Sequence, residues 1–130
     1  MTMTTDHVTP DRIDALLTDE SVPVVHRALW ALLWETDIRI LDLLALDVSD
    51  AADGAADGGG PRPGGAAVGA RTAALLGTLA GDRTAGPLFA VGERADRALT
   101  WEEAVRTASG HGVALHALRA GGKARRERLS

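Results

Sequence analysis

A single, mainly α-helical domain is what this sequence predicts, and three observations carry the expectation. Apolar residues recur at helical spacing through residues 13–46, threonine N-caps stand before residues 10 and 101, and aromatic residues make up only 3% of the chain. The core must therefore be built from Leu, Ala and Val. At 130 residues the chain has the length of one domain, and a domain of this size buries roughly two thirds of its unfolded surface.

The first helix is announced by Thr9 as N-cap, Pro10 at the first helical position and Asp11 in the first turn; Ile13, Leu16 and Leu17 give it an apolar stripe. The second follows Pro23, with Val25, Ala28, Leu29, Leu32 and Leu33 on one face of a 3.6-residue period. After a turn near Glu35 to Ile38, a third runs from about Ile40 to Leu46, burying Leu43 and Leu44. Residues 51–70, "AADGAADGGGPRPGGAAVGA", hold seven Gly, two Pro and almost no large apolar side chain, which is the composition of a flexible connector. Helical pattern returns from Arg71 to Ala80 through Leu75, Leu76 and Leu79, and "PLFAVG" from Pro87 reads as a short extended piece. Thr100 caps the next helix, with Glu102 and Glu103 where the helix dipole favours carboxylates; it ends near Ser109-Gly110. A last short helical segment, "ALHALRAG", ends at Gly121 and leads into a basic tail, residues 121–130.

Net charge is -4, unevenly spread. Residues 1–50 carry ten acids against three arginines, residues 51–118 seven against six, and residues 119–130 one against five bases. An acidic body with a basic end is not the even positive footprint of a DNA-wrapping domain, but Lys123, Arg125, Arg126 and Arg128 are candidates to sit on phosphates. Cysteine is absent, which excludes disulfides, thiolate metal sites and cysteine nucleophiles. No apolar run approaches the ~20 residues of a membrane span, and the N-terminus lacks the regions of a signal peptide, so no membrane partner and a cytoplasmic location are expected.

Several chemistries find no footing. His7, His26, His111 and His116 lack companions at metal-ligand spacing, and the glycine run lacks the Lys and Ser/Thr of a phosphate loop, so neither metal nor cofactor is expected. Trp30, Trp34 and Trp101 read as packing residues rather than base-stacking platforms. The serines at 21, 49, 109 and 130 have no activating histidine in a recognisable arrangement.

Arg39 stands apart. It lies between Ile38 and Ile40 at the entry to an apolar helix, within "TDIRILDLLALDVSD". That stretch resembles the first box of the tyrosine recombinases, the phage-integrase family: Thr36, Ile38, Arg39, Ile40, Leu43, Leu44, Ala45, Leu46, Ser49 and Asp50 match, and Asp42 stands for a glutamate. Near the end, "LHALRAG" is similar to the family's second box through His116, Leu118 and Arg119, and "GPLFAVG" and "RALTWEEAVRTASGHGVALHALRA" look like the segments leading into it. The likeness covers roughly residues 8–120, with the boxes in the family's order.

The resemblance implies a cut-down recombinase catalytic domain, helical, with its small β-sheet weakened or missing. It implies that Arg39 and Arg119 clamp a phosphodiester, since two convergent guanidinium groups can hold its oxygens bidentately and stabilise charge developing there. It gives His116 a part in proton transfer at the family's attacking tyrosine, which forms a covalent phosphotyrosyl intermediate. This chain contains no tyrosine. The family's hairpin lysine is also missing, its place falling in the Gly-rich connector; Lys123 lies elsewhere, and Arg71 is a poor proton donor. Asp37 replaces a turn glycine, Leu41 a small polar residue and Ala120 the second histidine of the box. The family's core-binding domain and the region carrying the nucleophile have no counterpart in these residues.

The expected protein is therefore a degenerate, truncated recombinase relative, retaining DNA phosphate binding in a recombination or integration setting but not strand cleavage. Its expected partners are DNA and a full-length recombinase or a second copy of itself. The competing expectation is a small helical protein–protein interaction module with no nucleic-acid activity.

Overall fold

The computed structural model describes residues 8–36, 38–49, 68–83, 85–91 and 97–129, with side chains to residue 127. The described residues are mainly helical: α1 (Pro10–Leu17), α2 (Val24–Glu35), α3 (Ile40–Leu44), α4 (Ala70–Ala80), α5 (Trp101–Gly110) and α6 (Leu115–Leu129), with strands β1 (Ala90–Val91) and β2 (Arg97–Ala98). Most of the expected connector, residues 51–67, lies outside the described residues. Among the described residues, no helix is long and apolar enough to cross a membrane.

The start of α1 forms as its sequence dictates: the Thr9 hydroxyl accepts from the Arg12 amide at 3.1 Å, and Pro10 occupies the position where a missing N–H costs nothing. Ile13, Leu16 and Leu17 are buried, and α1 packs on α2.

The helix α2 is the axis of the molecule, touching α1, α4, α5 and α6. Its apolar surface is wider than the single expected face. His26, Trp30, Ala31 and Trp34 are buried as well as Val25, Ala28, Leu29, Leu32 and Leu33, so partners cover it almost all round. Thr36 ends it, its hydroxyl donating to the Leu32 carbonyl at 2.7 Å from a buried position.

The β-structure among the described residues is small, two antiparallel strands of two residues each in the register Ala90↔Ala98 and Val91↔Arg97. It is extended by the segment after α3. The Leu88 amide donates to the Leu46 carbonyl and the Val48 amide to the Gly86 carbonyl, both at 2.8 Å, and the Leu99 amide donates to the Phe89 carbonyl at 2.7 Å. The Arg83 guanidinium ties the end of α4 to this layer by donating to the carbonyls of Pro87 (2.6 Å) and Leu79 (2.9 Å). Thus α3, the sheet and the start of α5 are held as one unit. The third helix is shorter than expected, ending at Leu44, because the chain after Leu46 turns to its bonds with residues 86–88.

The largest departure lies at the end of the chain. The helix expected to stop at Gly121 continues as α6 through Leu129, so residues 121–129 are a helix and not a loose tail. Two glycines in a helix cost about 1 kcal/mol each relative to alanine, and by propensity they read as a stop. Packing reverses that reading. A Cβ on Gly122 would overlap the Trp34 carbonyl, and one on Gly121 would lie 3.0 Å from the Trp34 ring. Glycine is what lets α6 close on the end of α2.

Candidate phosphate-binding site

Four elements converge on one pocket of about 260 Å³, lined by Leu33 of α2, Arg39 and Ile40 at the start of α3, Trp101 at the start of α5, and Leu115, His116 and Arg119 of α6. The three residues that the recombinase resemblance singles out therefore line one pocket, although Arg39 is far in sequence from the other two.

The local reasons for each placement differ. Arg39 is the N-cap residue of α3 with extended backbone (φ -70°, ψ 148°), and its carbonyl accepts from the Leu43 amide at 3.0 Å. The backbone serves the helix, while the exposed side chain reaches the pocket. Ile38 and Ile40 on either side pack against the core, so the arginine occupies the outward position of an apolar entry.

His116 and Arg119 stand three residues apart on α6 and hence on one face of the helix. Their neighbours Leu115, Ala117 and Leu118 are buried and fix the rotation of that helix. The turn before it is equally determined. At the end of α5 the Gly112 amide donates to the Ser109 carbonyl and the Val113 amide to the Ala108 carbonyl, both at 3.0 Å, with Gly112 at φ +76°. This is the glycine-terminated helix stop that only a residue tolerant of the left-handed region makes without strain.

Trp101 is placed by the capping box of α5. The Thr100 hydroxyl accepts from the Glu103 amide at 3.2 Å, and the Glu103 carboxylate accepts in return from the Thr100 amide at 3.2 Å. Glu103 also pairs with Arg97 of β2 at 2.8 Å, and these bonds hold its carboxyl at about 2, well below the ordinary carboxylate range, with the Arg97 bond the largest cause. The expectation that all three tryptophans pack internally holds for Trp30 and Trp34; Trp101 is 47% exposed and faces the pocket. Sequence pattern missed it because the first turn of an amphipathic helix offers both an inward and an outward place for a large ring.

The chemistry of the lining is cationic and apolar. Among the described residues, two arginines and a histidine line the pocket with no carboxylate, in a chain whose net charge is -4. Such a lining suits an oxyanion held by charge-assisted hydrogen bonds, with Trp101 and the half-buried Ile40 as its accessible apolar surface.

The other candidate nucleic-acid residues are divided. Lys123 and Arg125 are exposed on α6. Arg126 is half-buried, and its guanidinium donates to the Trp34 carbonyl, which gives it a part in joining α6 to α2. The side chain of Arg128 lies outside the described residues. Arg71, near where the family's lysine would stand, pairs with Asp14 at 2.7 Å and is not among the pocket residues. Comparison with known proteins adds no relative: no family model, curated protein or solved structure matches this chain.

Proposed function

We propose that this protein is a degenerate relative of the tyrosine recombinases that binds DNA phosphates through Arg39 and Arg119 without cleaving the strand. The observation that carries the proposal is the shared pocket of Arg39, His116 and Arg119. Two arginines lining one pocket suit the non-bridging oxygens of a phosphodiester. His116, which lines the same pocket, suits a further hydrogen bond to that group. Cleavage by the family route needs a tyrosine, and the chain has none.

The test is equilibrium binding to labelled duplex and single-stranded DNA across a salt series. Binding through phosphates weakens steeply as salt rises, because counterions are released on association. Arg39→Ala and Arg119→Ala are each expected to lower the salt slope by about 1 and weaken binding across all sequences. No binding at low salt, or binding indifferent to both substitutions, overturns the proposal.

A rival reading, a protein-docking module whose partner is a recombinase or a second copy of the chain, draws support from Leu41, which is 65% exposed on α3. Self-association that is insensitive to salt and abolished by Leu41→Ser would favour it.

A further inference from the structure

We infer that the pocket takes an unpaired nucleotide, with the base against the Trp101 indole and its phosphate between Arg39 and Arg119. This rests on the phosphate-binding reading above and deepens it by naming the form of nucleic acid the site prefers.

Three features lead there. The first is the exposed indole. An aromatic side chain gains most by burying its large apolar surface, as Trp30 does at 0% exposure and Trp34 at 8%. Trp101 is 47% exposed although Ala104 and Ala108, one and two turns further along α5, are fully buried. A scattered exposed tryptophan carries no meaning alone. This one lines the same cavity as both arginines of the clamp.

The second is the mixture of surfaces. A free inorganic anion would be served by Arg39, His116 and Arg119 alone. The pocket adds the exposed indole and the half-buried Ile40, which offer nothing to an anion and suit a flat apolar group attached to it. A nucleotide joins a phosphate to such a group.

The third is size. At about 260 Å³ the pocket is below the ~300 Å³ lower end of ordinary small-molecule sites. It is on the scale of one nucleotide unit. A base inside a duplex presents only its edges, its faces being covered by its neighbours, so contact with the indole requires a base that is unstacked or single-stranded.

The experiment compares three probes on the full chain: a short oligothymidylate, an abasic strand of the same length that keeps the phosphates, and a duplex. Tryptophan fluorescence is read alongside binding, because Trp101 is the exposed tryptophan and the one a base can quench. The wild type is expected to bind oligothymidylate roughly tenfold more tightly than the abasic strand, with quenching. Trp101→Ala should remove that preference and the quenching, and Trp101→Phe should restore most of the preference. Circular dichroism of each variant checks that α5 still forms. Equal affinity of the wild type for oligothymidylate and the abasic strand overturns the inference, as does a preference that survives Trp101→Ala. Duplex binding that depends on Arg39 with no preference for bases leaves the phosphate clamp standing and removes only the nucleotide. Failure of all three probes to bind removes both.

Discussion

The backbone of Gly122 in α6 rests against the carbonyl of Trp34 in α2, with no room for a Cβ between them. That contact sets how closely α6 lies on the end of α2. Gly122→Ala is expected to destabilise the fold by about 1–3 kcal/mol through overpacking, despite alanine's better helix propensity. Gly77, exposed in α4 with open space where a methyl group would stand, is the control. Gly77→Ala should stabilise by about 0.5–1 kcal/mol. Urea midpoints of the two variants moving in the same direction would contradict the account.

Arg126 and Arg125 adjoin in sequence and should behave differently. Arg126 donates to the Trp34 carbonyl from a half-buried position, so Arg126→Ala is expected to cost about 1 kcal/mol of stability. Arg125 is exposed, and Arg125→Ala should change stability by no more than about 0.5 kcal/mol. If Arg125 meets phosphate, its loss lowers the salt slope of DNA binding by about 1. Thermal melts and salt titrations of both variants separate the roles.

Acid should weaken the start of α5. The Glu103 carboxyl is held at about 2 by its bonds to Arg97 and Thr100, against 4.5 for the unperturbed group. Its folded-state value is depressed, so its contribution is complete above 4.5 and is lost as pH falls towards about 2. Glu103→Gln should flatten stability over that window. An identical acid limb in wild type and variant would show that the bonds to Arg97 and Thr100 contribute nothing.

His26 acts at milder pH. It is buried beside Trp30, with ring centroids 6.3 Å apart, and burial lowers its pKa below 6.5, opposed by Glu103 and reinforced by His111. The unfolded chain takes up the proton first, so stability falls as pH drops below 6.5. Melting temperature is expected to be lower at about pH 5.5 than at about pH 7.5, and His26→Phe should reduce that difference. No reduction in the variant would place the acid sensitivity elsewhere.

Much of the helical framework was legible in the residues themselves. Thr9 and Thr100 mark helix starts because a hydroxyl can satisfy a free amide one turn ahead; the return bond from the Thr100 amide to Glu103 came from the structure. The period of Val25 to Leu33 marked α2. The residues of the candidate site were singled out by likeness to two boxes, and the fold brings Arg39, His116 and Arg119 to one pocket. Trp101 was not legible, since its exposure depends on where α3 and α6 leave a gap.

By itself, then, the sequence determined where most helices begin, that their core is aliphatic, and that no tyrosine is present for covalent chemistry. Only the tertiary structure decided that α2 is covered almost all round, that α6 runs on through Gly121 and Gly122, and that Arg126 joins two helices. The physical reason is range. Caps and periodicity act over one or two turns of the chain, whereas the fit of Gly122 against Trp34 and the gap beside Trp101 belong to pairs of segments that meet only once the chain has folded.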